Sequence, residues 1–364
     1  MPRILSIGVH NPPIKMSQTK TSEFSRELFQ DKYKDFDRLV KVFSNGEIEE
    51  RYFSENLDWY AKEHSFEEKN NTYISKAIEY GTQAITNCLQ NEFFLSQTIE
   101  CTEIDAFFFI STTGIATPSI EARIMNKLNF SPHTKRIPIW GLGCAGGAAG
   151  LARAFEYCKA YPKAKVIVLA VELCSLTFQK NDISKSNLIG TSLFADGTAC
   201  ICIVGDRVEY QAYTNLDTLP VFIDAYSTLM KGSEDVMGWE VKNNGLYVIF
   251  SKDIPSIVRN WLKGNVEEFL QLHNINISDI KHFIAHPGGK KVLDAYEDSL
   301  GLSQEMNDIS RGILTKFGNM SSVTVLYVLK SYIEKKLAND GEYGLMTALG
   351  PGFSSELILL QWRK

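Results

Sequence analysis

The sequence has no apolar run long enough to cross a membrane, which excludes a helical membrane protein. It has no block of basic residues, and its formal net charge is −5, which argues against a nucleic-acid partner. A signal-peptide pattern is missing too: Met1-Pro2-Arg3 leads straight into the strand-like Ile4-Leu5-Ser6-Ile7-Gly8-Val9. The seven cysteines are an odd number, and none has zinc-ligand spacing. Free thiols in a reducing compartment are expected, hence a cytoplasmic location, with no metal and no disulfide framework. What remains is an ordinary globular composition, 44% hydrophobic and 22% charged, over 364 residues. That length suggests two domains or one large one.

Continuous apolar stretches at 105–110, 165–172 and 198–204 read as buried strands. Residues 74–89 read as a helix, and Phe24, Leu28 and Tyr33 mark another amphipathic one. Buried strands alternating with helices predict an α/β protein whose sheet is covered on both faces.

The stretch from Trp140 to Gly150, WGLGCAGGAAG, stands apart. Residues 136–140 read as a short strand and 151–159 as a helix, so Cys144 falls at the turn between them. Gly141 and Gly143 permit a tight turn there. A thiol at a helix N-terminus meets unpaired N–H groups, which favour the thiolate. Gly146, Gly147 and Gly150 are poor helix formers and point to close packing instead.

The second half of the chain repeats the first. Ile104-Asp105-Ala106-Phe107-Phe108 resembles Ile280-Lys281-His282-Phe283-Ile284, and Gly143-Cys144-Ala145-Gly146-Gly147 resembles Gly318-Asn319-Met320-Ser321-Ser322. Residues 166–173 align with 341–348, and all three offsets are 175 or 176. Duplication predicts two similar halves, here 1–210 and 211–364, with Cys144 and Asn319 converging near a pseudo-dyad. His286 ends an apolar strand before Pro287-Gly288-Gly289, at the strand end where open α/β sheets place ligands. His282, near the start of that strand, reads as structural. A cysteine with a histidine permits an ion-paired nucleophile. A histidine with an asparagine amide supplies two donors for an oxyanion.

These motifs, with Gly350-Pro351-Gly352, resemble the type III polyketide synthases, the chalcone synthase superfamily, over nearly the whole chain. The likeness is strongest to Bacillus-type alkylpyrone-forming members. The resemblance implies a five-layered αβαβα thiolase fold with two duplicated halves, a homodimer, and a Cys144–His286–Asn319 triad. It also implies an acyl-CoA starter, malonyl-CoA as extender, and no cofactor beyond these thioesters. Phe194 matches a residue at the mouth between CoA tunnel and cavity. Thr112 and Thr177 match cavity-lining positions, and Ser321 one that shapes the cavity. Arg38 and Lys41 match bases that contact CoA phosphates, whereas the third such base falls on Asn45. Val248 stands where plant enzymes have a second mouth Phe, Cys174 where they have a cavity Thr, and Thr117 where they have a Met that enters the partner's cavity. These departures imply a long apolar starter rather than an aromatic one. Two other readings are an initiating-class ketoacyl-acyl carrier protein synthase and a non-catalytic acyl-CoA-binding scaffold.

Overall fold

Strands Ala106–Ile110, Lys165–Leu173 and Asp196–Val204 are mostly apolar because both faces of their sheet are covered, and all but Lys165 of their residues are buried. The computed structural model describes residues 1–364. Its strands are β1 Arg3–His10, β2 Ile14–Ser17, β3 Glu50–Phe53, β4 Ala106–Ile110, β5 Lys135–Ile139, β6 Lys165–Leu173 and β7 Asp196–Val204. They continue with β8 Leu219–Leu229, β9 Met237–Lys242, β10 Gly245–Phe250, β11 Ile280–Ala285, β12 Tyr343–Gly350 and β13 Ser354–Arg363.

Nine strands form one sheet in the order β5-β4-β6-β7-β1-β8-β13-β12-β11. The two sides of the β1–β8 seam repeat each other. β1 is antiparallel to β7, β7 to β6, and β6 runs parallel to β4. In the same way β8 is antiparallel to β13, β13 to β12, and β12 runs parallel to β11. The seam is slight, with the single register pair Arg3–Val221. Helices Gly146–Ala160 and Thr324–Glu334 lie between the halves and touch strands of both. Helix Phe66–Leu89 covers the outside of the first half. Helices Lys263–Gln271 and Lys290–Leu300 cover the second, through Phe269, Leu293 and Tyr296 against Phe283, Leu345 and Leu357. This is the five-layered αβαβα fold expected of two duplicated halves.

Several boundaries differ from expectation. The central helix begins at Gly146 rather than at residue 151, because tertiary packing replaces propensity in the small-residue run. A Cβ on Gly147 would lie 2.1 Å from the Ser322 carbonyl oxygen, so only glycine lets the two halves meet there. The outer helix begins at Phe66 rather than residue 74, started by a capping box in which Ser65 and Glu68 bond reciprocally. The first helix, capped by Ser17, ends at Phe29, so Tyr33 lies beyond it. His286 is one residue past the end of β11, its N–H bonded to the Thr347 carbonyl at 2.8 Å.

Gly147→Ala is expected to lower stability by about 1–3 kcal/mol, the usual cost of overpacking. Urea unfolding checks this through a lower midpoint at constant m-value. An unchanged midpoint would mean that the halves can separate at no cost.

Candidate active site

The duplicated units supply two matching turns. Gly143–Ala145 is a 3₁₀ turn leading into helix Gly146–Ala160, and Ser321–Val323 is a 3₁₀ turn leading into helix Thr324–Glu334. Because Gly147 abuts Ser322, the turns are neighbours, and Cys144 Sγ lies 4.0 Å from Asn319 Oδ1. The Ser321 N–H donates to that oxygen at 2.8 Å, which orients the amide so that Nδ2 points the other way. One Nδ2 hydrogen goes to the Gly288 carbonyl at 3.1 Å, leaving the second for a ligand. His286 is buried, and both of its ring nitrogens are without a partner. Such orphaned polar atoms call for a ligand at a functional site.

Electrostatics correct one expectation. The turn at Cys144 does not by itself favour a thiolate: burial pushes the thiol up to about 12. A hydrogen bond with Ser321 works the other way, while the field of Glu172 adds to the rise. Burial also pulls His286 down to about 3. Each group alone resists charge, because burial penalises the charged form of both.

Glu172, which sequence reasoning missed, is fully buried at the end of β6. Its carboxylate accepts from the Thr112 N–H at 3.0 Å, Thr112 Oγ1 at 2.9 Å, Thr113 Oγ1 at 2.9 Å and Ser322 Oγ at 2.6 Å. It thereby ties the first half to the turn beside Asn319. Thr112 is therefore not among the side chains lining the cavities below; its polar groups are taken by Glu172. A lone acid closing an otherwise apolar strand was the available signal. His282, by contrast, meets Glu342 at 2.8 Å, as a structural residue would.

Three cavities lie around the site, and the first reaches the turns. The first holds Cys144 with Gly143, Ser321 and Pro351, and is roofed by Met237, Trp239, Ile249 and Phe250 of the β9–β10 hairpin. The two-residue connection Asn243-Asn244 before Gly245 carried that hairpin's signal in the sequence. The second is apolar and narrow, lined by Phe24, Phe53, Leu57, Tyr60, Cys174, Thr177 and Phe178 among others. Phe194 and Val248 border both, so they form the partition. The Thr177 hydroxyl is turned to the Cys174 carbonyl at 2.7 Å, which lowers the polarity of that wall. Burial pushes the Cys174 thiol well above its ordinary range. The third cavity brings Arg38 and Lys41 together with Lys185, Lys252, Lys290 and Lys291, and has no acid among its lining. Asn45 lines it as well, and it ends at Gly288–Gly289, next to His286. The four lysines at 185, 252, 290 and 291 were not foreseen; they are brought together by tertiary structure alone.

Fold and site together place the protein among the thiolase-fold condensing enzymes. Residues 4–207 match the family model for the chalcone and stilbene synthases, N-terminal domain, and residues 222–362 match the C-terminal domain model. The chain belongs to this family, the type III polyketide synthases, enzymes that work by decarboxylative condensation. It is 54% identical over 361 residues, 99% of both chains, to a protein of Bacillus subtilis (strain 168) described only provisionally as a chalcone synthase. It is 30% identical to an alpha-pyrone synthesis polyketide synthase-like protein, Pks18, of Mycobacterium tuberculosis, over 71% of this chain and 65% of that one. Among solved structures, the 1,3,6,8-tetrahydroxynaphthalene synthase of Streptomyces coelicolor A3(2), a bacterial type III polyketide synthase, superposes with a TM-score of 0.91 at 27% identity. That match covers 100% of this chain and 99% of the other. Membership removes the carrier-protein-dependent synthase and the non-catalytic scaffold as readings.

His286→Gln is expected to move the iodoacetamide-alkylation profile of Cys144 to higher pH. Only the thiolate reacts, and without an imidazole to take the proton no acceptor offsets the burial that raises the thiol. The rate at neutral pH should fall accordingly. Superimposable profiles for wild type and variant would show that the two groups do not share a proton.

Proposed function

We propose that the protein loads a long-chain fatty acyl-CoA onto Cys144, extends it with malonyl-CoA and cyclises the product to an alkylpyrone or alkylresorcinol. The observation that carries this reading is the narrow apolar cavity separated from Cys144 only by Phe194 and Val248. An alkyl chain passing that partition gains about 0.8 kcal/mol for each methylene it buries. Four further methylenes would add about 3 kcal/mol on the same scale. The alpha-pyrone named for the Mycobacterium tuberculosis relative supports a pyrone ring as one outcome.

The chemistry follows from the residues. His286 takes the Cys144 proton, and the thiolate attacks the starter carbonyl; the carbon–sulfur bond to CoA breaks, and CoA leaves with the proton. Malonyl-CoA enters along the cationic cavity, where Arg38 and Lys41 hold CoA phosphates together with the lysines at 185, 252, 290 and 291. Its carboxylate leaves as carbon dioxide, and the electron pair becomes an enolate on the thioester. The orphaned His286 ring and the free Asn319 N–H donate to the enolate oxygen. The carbanion attacks acyl-Cys144, expels the thiolate, and yields an acyl chain longer by two carbons on CoA. Ser321 shapes the cavity in which this happens. No metal or redox cofactor takes part. The seven free cysteines suit the reducing cytoplasm.

Competition among acyl-CoAs of graded length, with malonyl-CoA and mass spectrometry of the products, tests the reading. Long-chain starters should win in kcat/KM, and Val248→Phe should shift the optimum to shorter chains while condensation persists. A preference for an aromatic or short starter would overturn the assignment. An unchanged length profile in Val248→Phe would mean that the chain does not pass this partition.

The enzyme works as a homodimer. β5 is an unpaired sheet edge, and beside it Ile115 and Trp140 are 48% and 52% exposed, large apolar side chains that a second copy would cover. Trp140 is fixed there by its indole N–H to the Gly114 carbonyl at 3.1 Å. Light scattering at micromolar concentration should give twice the monomer mass; a monomer would refute this.

A further inference from the structure

Arg51 on β3 is among the largest side chains with no exposure at all. Its Nη1 donates to two carbonyls of one segment, Thr191 O at 2.8 Å and Phe194 O at 2.7 Å. The same segment grips the backbone of Asn319 from both sides. The Asn319 N–H donates to Leu193 O at 2.9 Å, and the Ala195 N–H donates to Asn319 O at 2.9 Å. A second route is steric. Gly318, at φ +67°, sits so close to the arginine stem that a Cβ there would lie 2.7 Å from Cδ and 2.8 Å from Cγ. Arg51 thus bears on Asn319 through the strand pairing and through the preceding residue.

Stability does not explain this residue. Its Nε and Nη2 have no partner, and burial draws the guanidinium down to about 9, against the field of Asp196. The Asp196 carboxylate is bound by Ser54 and Ser175 rather than by the arginine. A buried charge with two idle donors costs free energy, and apolar replacement of such groups is often neutral or stabilising. Arg51 lines the apolar cavity and lies over the Phe53 ring at 5.1 Å, and it also holds the 191–195 segment by its carbonyls, as no apolar residue could.

We propose that Arg51 is a positioning residue for Asn319, fixing the amide where the malonyl enolate forms and so acting on decarboxylation rather than on starter loading. The proposal rests on the reading that Asn319 serves the enolate. Freed carbonyls at Thr191 and Phe194 would let the segment relax, and a misplacement of about 1 Å can cost on the order of 10²-fold in rate.

The test compares Arg51→Gln, Arg51→Lys and Asn319→Ala with wild type in two assays. One follows carbon dioxide release from malonyl-CoA; the other follows the acyl adduct on Cys144 by intact-protein mass after mixing with a fatty acyl-CoA. Arg51→Gln should lose about 10- to 10²-fold in decarboxylation and at least about tenfold less in acylation. Arg51→Lys, which keeps a buried charge and can reach the same carbonyls, should show the same split at smaller amplitude. It carries the comparison if the glutamine variant is unstable. Decarboxylation at the wild-type rate in Arg51→Gln would overturn the proposal, as would parallel loss of both steps in both Arg51 variants. Decarboxylation that survives in Asn319→Ala would instead sink the underlying reading of Asn319.

Discussion

Everything at the centre of this protein depends on one contact, Gly147 against the Ser322 carbonyl. It sets the first central helix against the turn that leads into the second, each helix made by one half of the duplicated chain. Any side chain at residue 147 would push the helices apart, and with them the two turns at their N-termini. Held together, those turns bring a thiol and a carboxamide from residues 175 apart in the chain to 4.0 Å. Cys144 belongs to one half and His286 and Asn319 to the other, so neither half holds the whole set.

The same packing sets the electrostatics. A site between two halves of a five-layered fold is dry, and dryness opposes charge on Cys144 and His286 taken singly. It also strengthens every dipole aimed into the site. Neither a standing thiolate nor an imidazolium suits this environment without a compensating partner. Glu172 survives as a buried acid because four donors surround it, and its bonds to Thr112, Thr113 and Ser322 brace the two halves beside the asparagine turn.

Around this rigid centre the cavities are made by less regular parts of the chain. The β9–β10 hairpin roofs Cys144, and the N-terminal segments around Phe24, Phe53 and Tyr60 wall off the apolar cavity. Phe194 stands between them, packed against Trp239 and Phe250 at ring distances of 5.9 and 6.2 Å. Its backbone is part of the segment that Arg51 holds and that Asn319 pairs with. The partition between the two cavities and the asparagine turn are thus built on one piece of backbone.

The class of fold and the duplication were legible in the sequence, and the triad was legible as a proposal. Continuous apolar strands need no context to be read as buried, and a repeat at a constant offset implies two like halves whatever their packing. Cys144, His286 and Asn319 were legible because each closes an apolar element with a glycine-rich turn. Only the tertiary structure decided what surrounds them. Thr112 was expected in the cavity wall, but its polar groups go to Glu172, because strand ends 60 residues apart meet in the sheet. The thiol's preference for the neutral form follows from burial, which a local sequence cannot report. The lysines at 185, 252, 290 and 291 line one channel because three separate segments converge there. Arg51, set among scattered surface-like charges in the sequence, lies fully buried against Gly318, since long-range pairing alone fixes which of those charges turns inward.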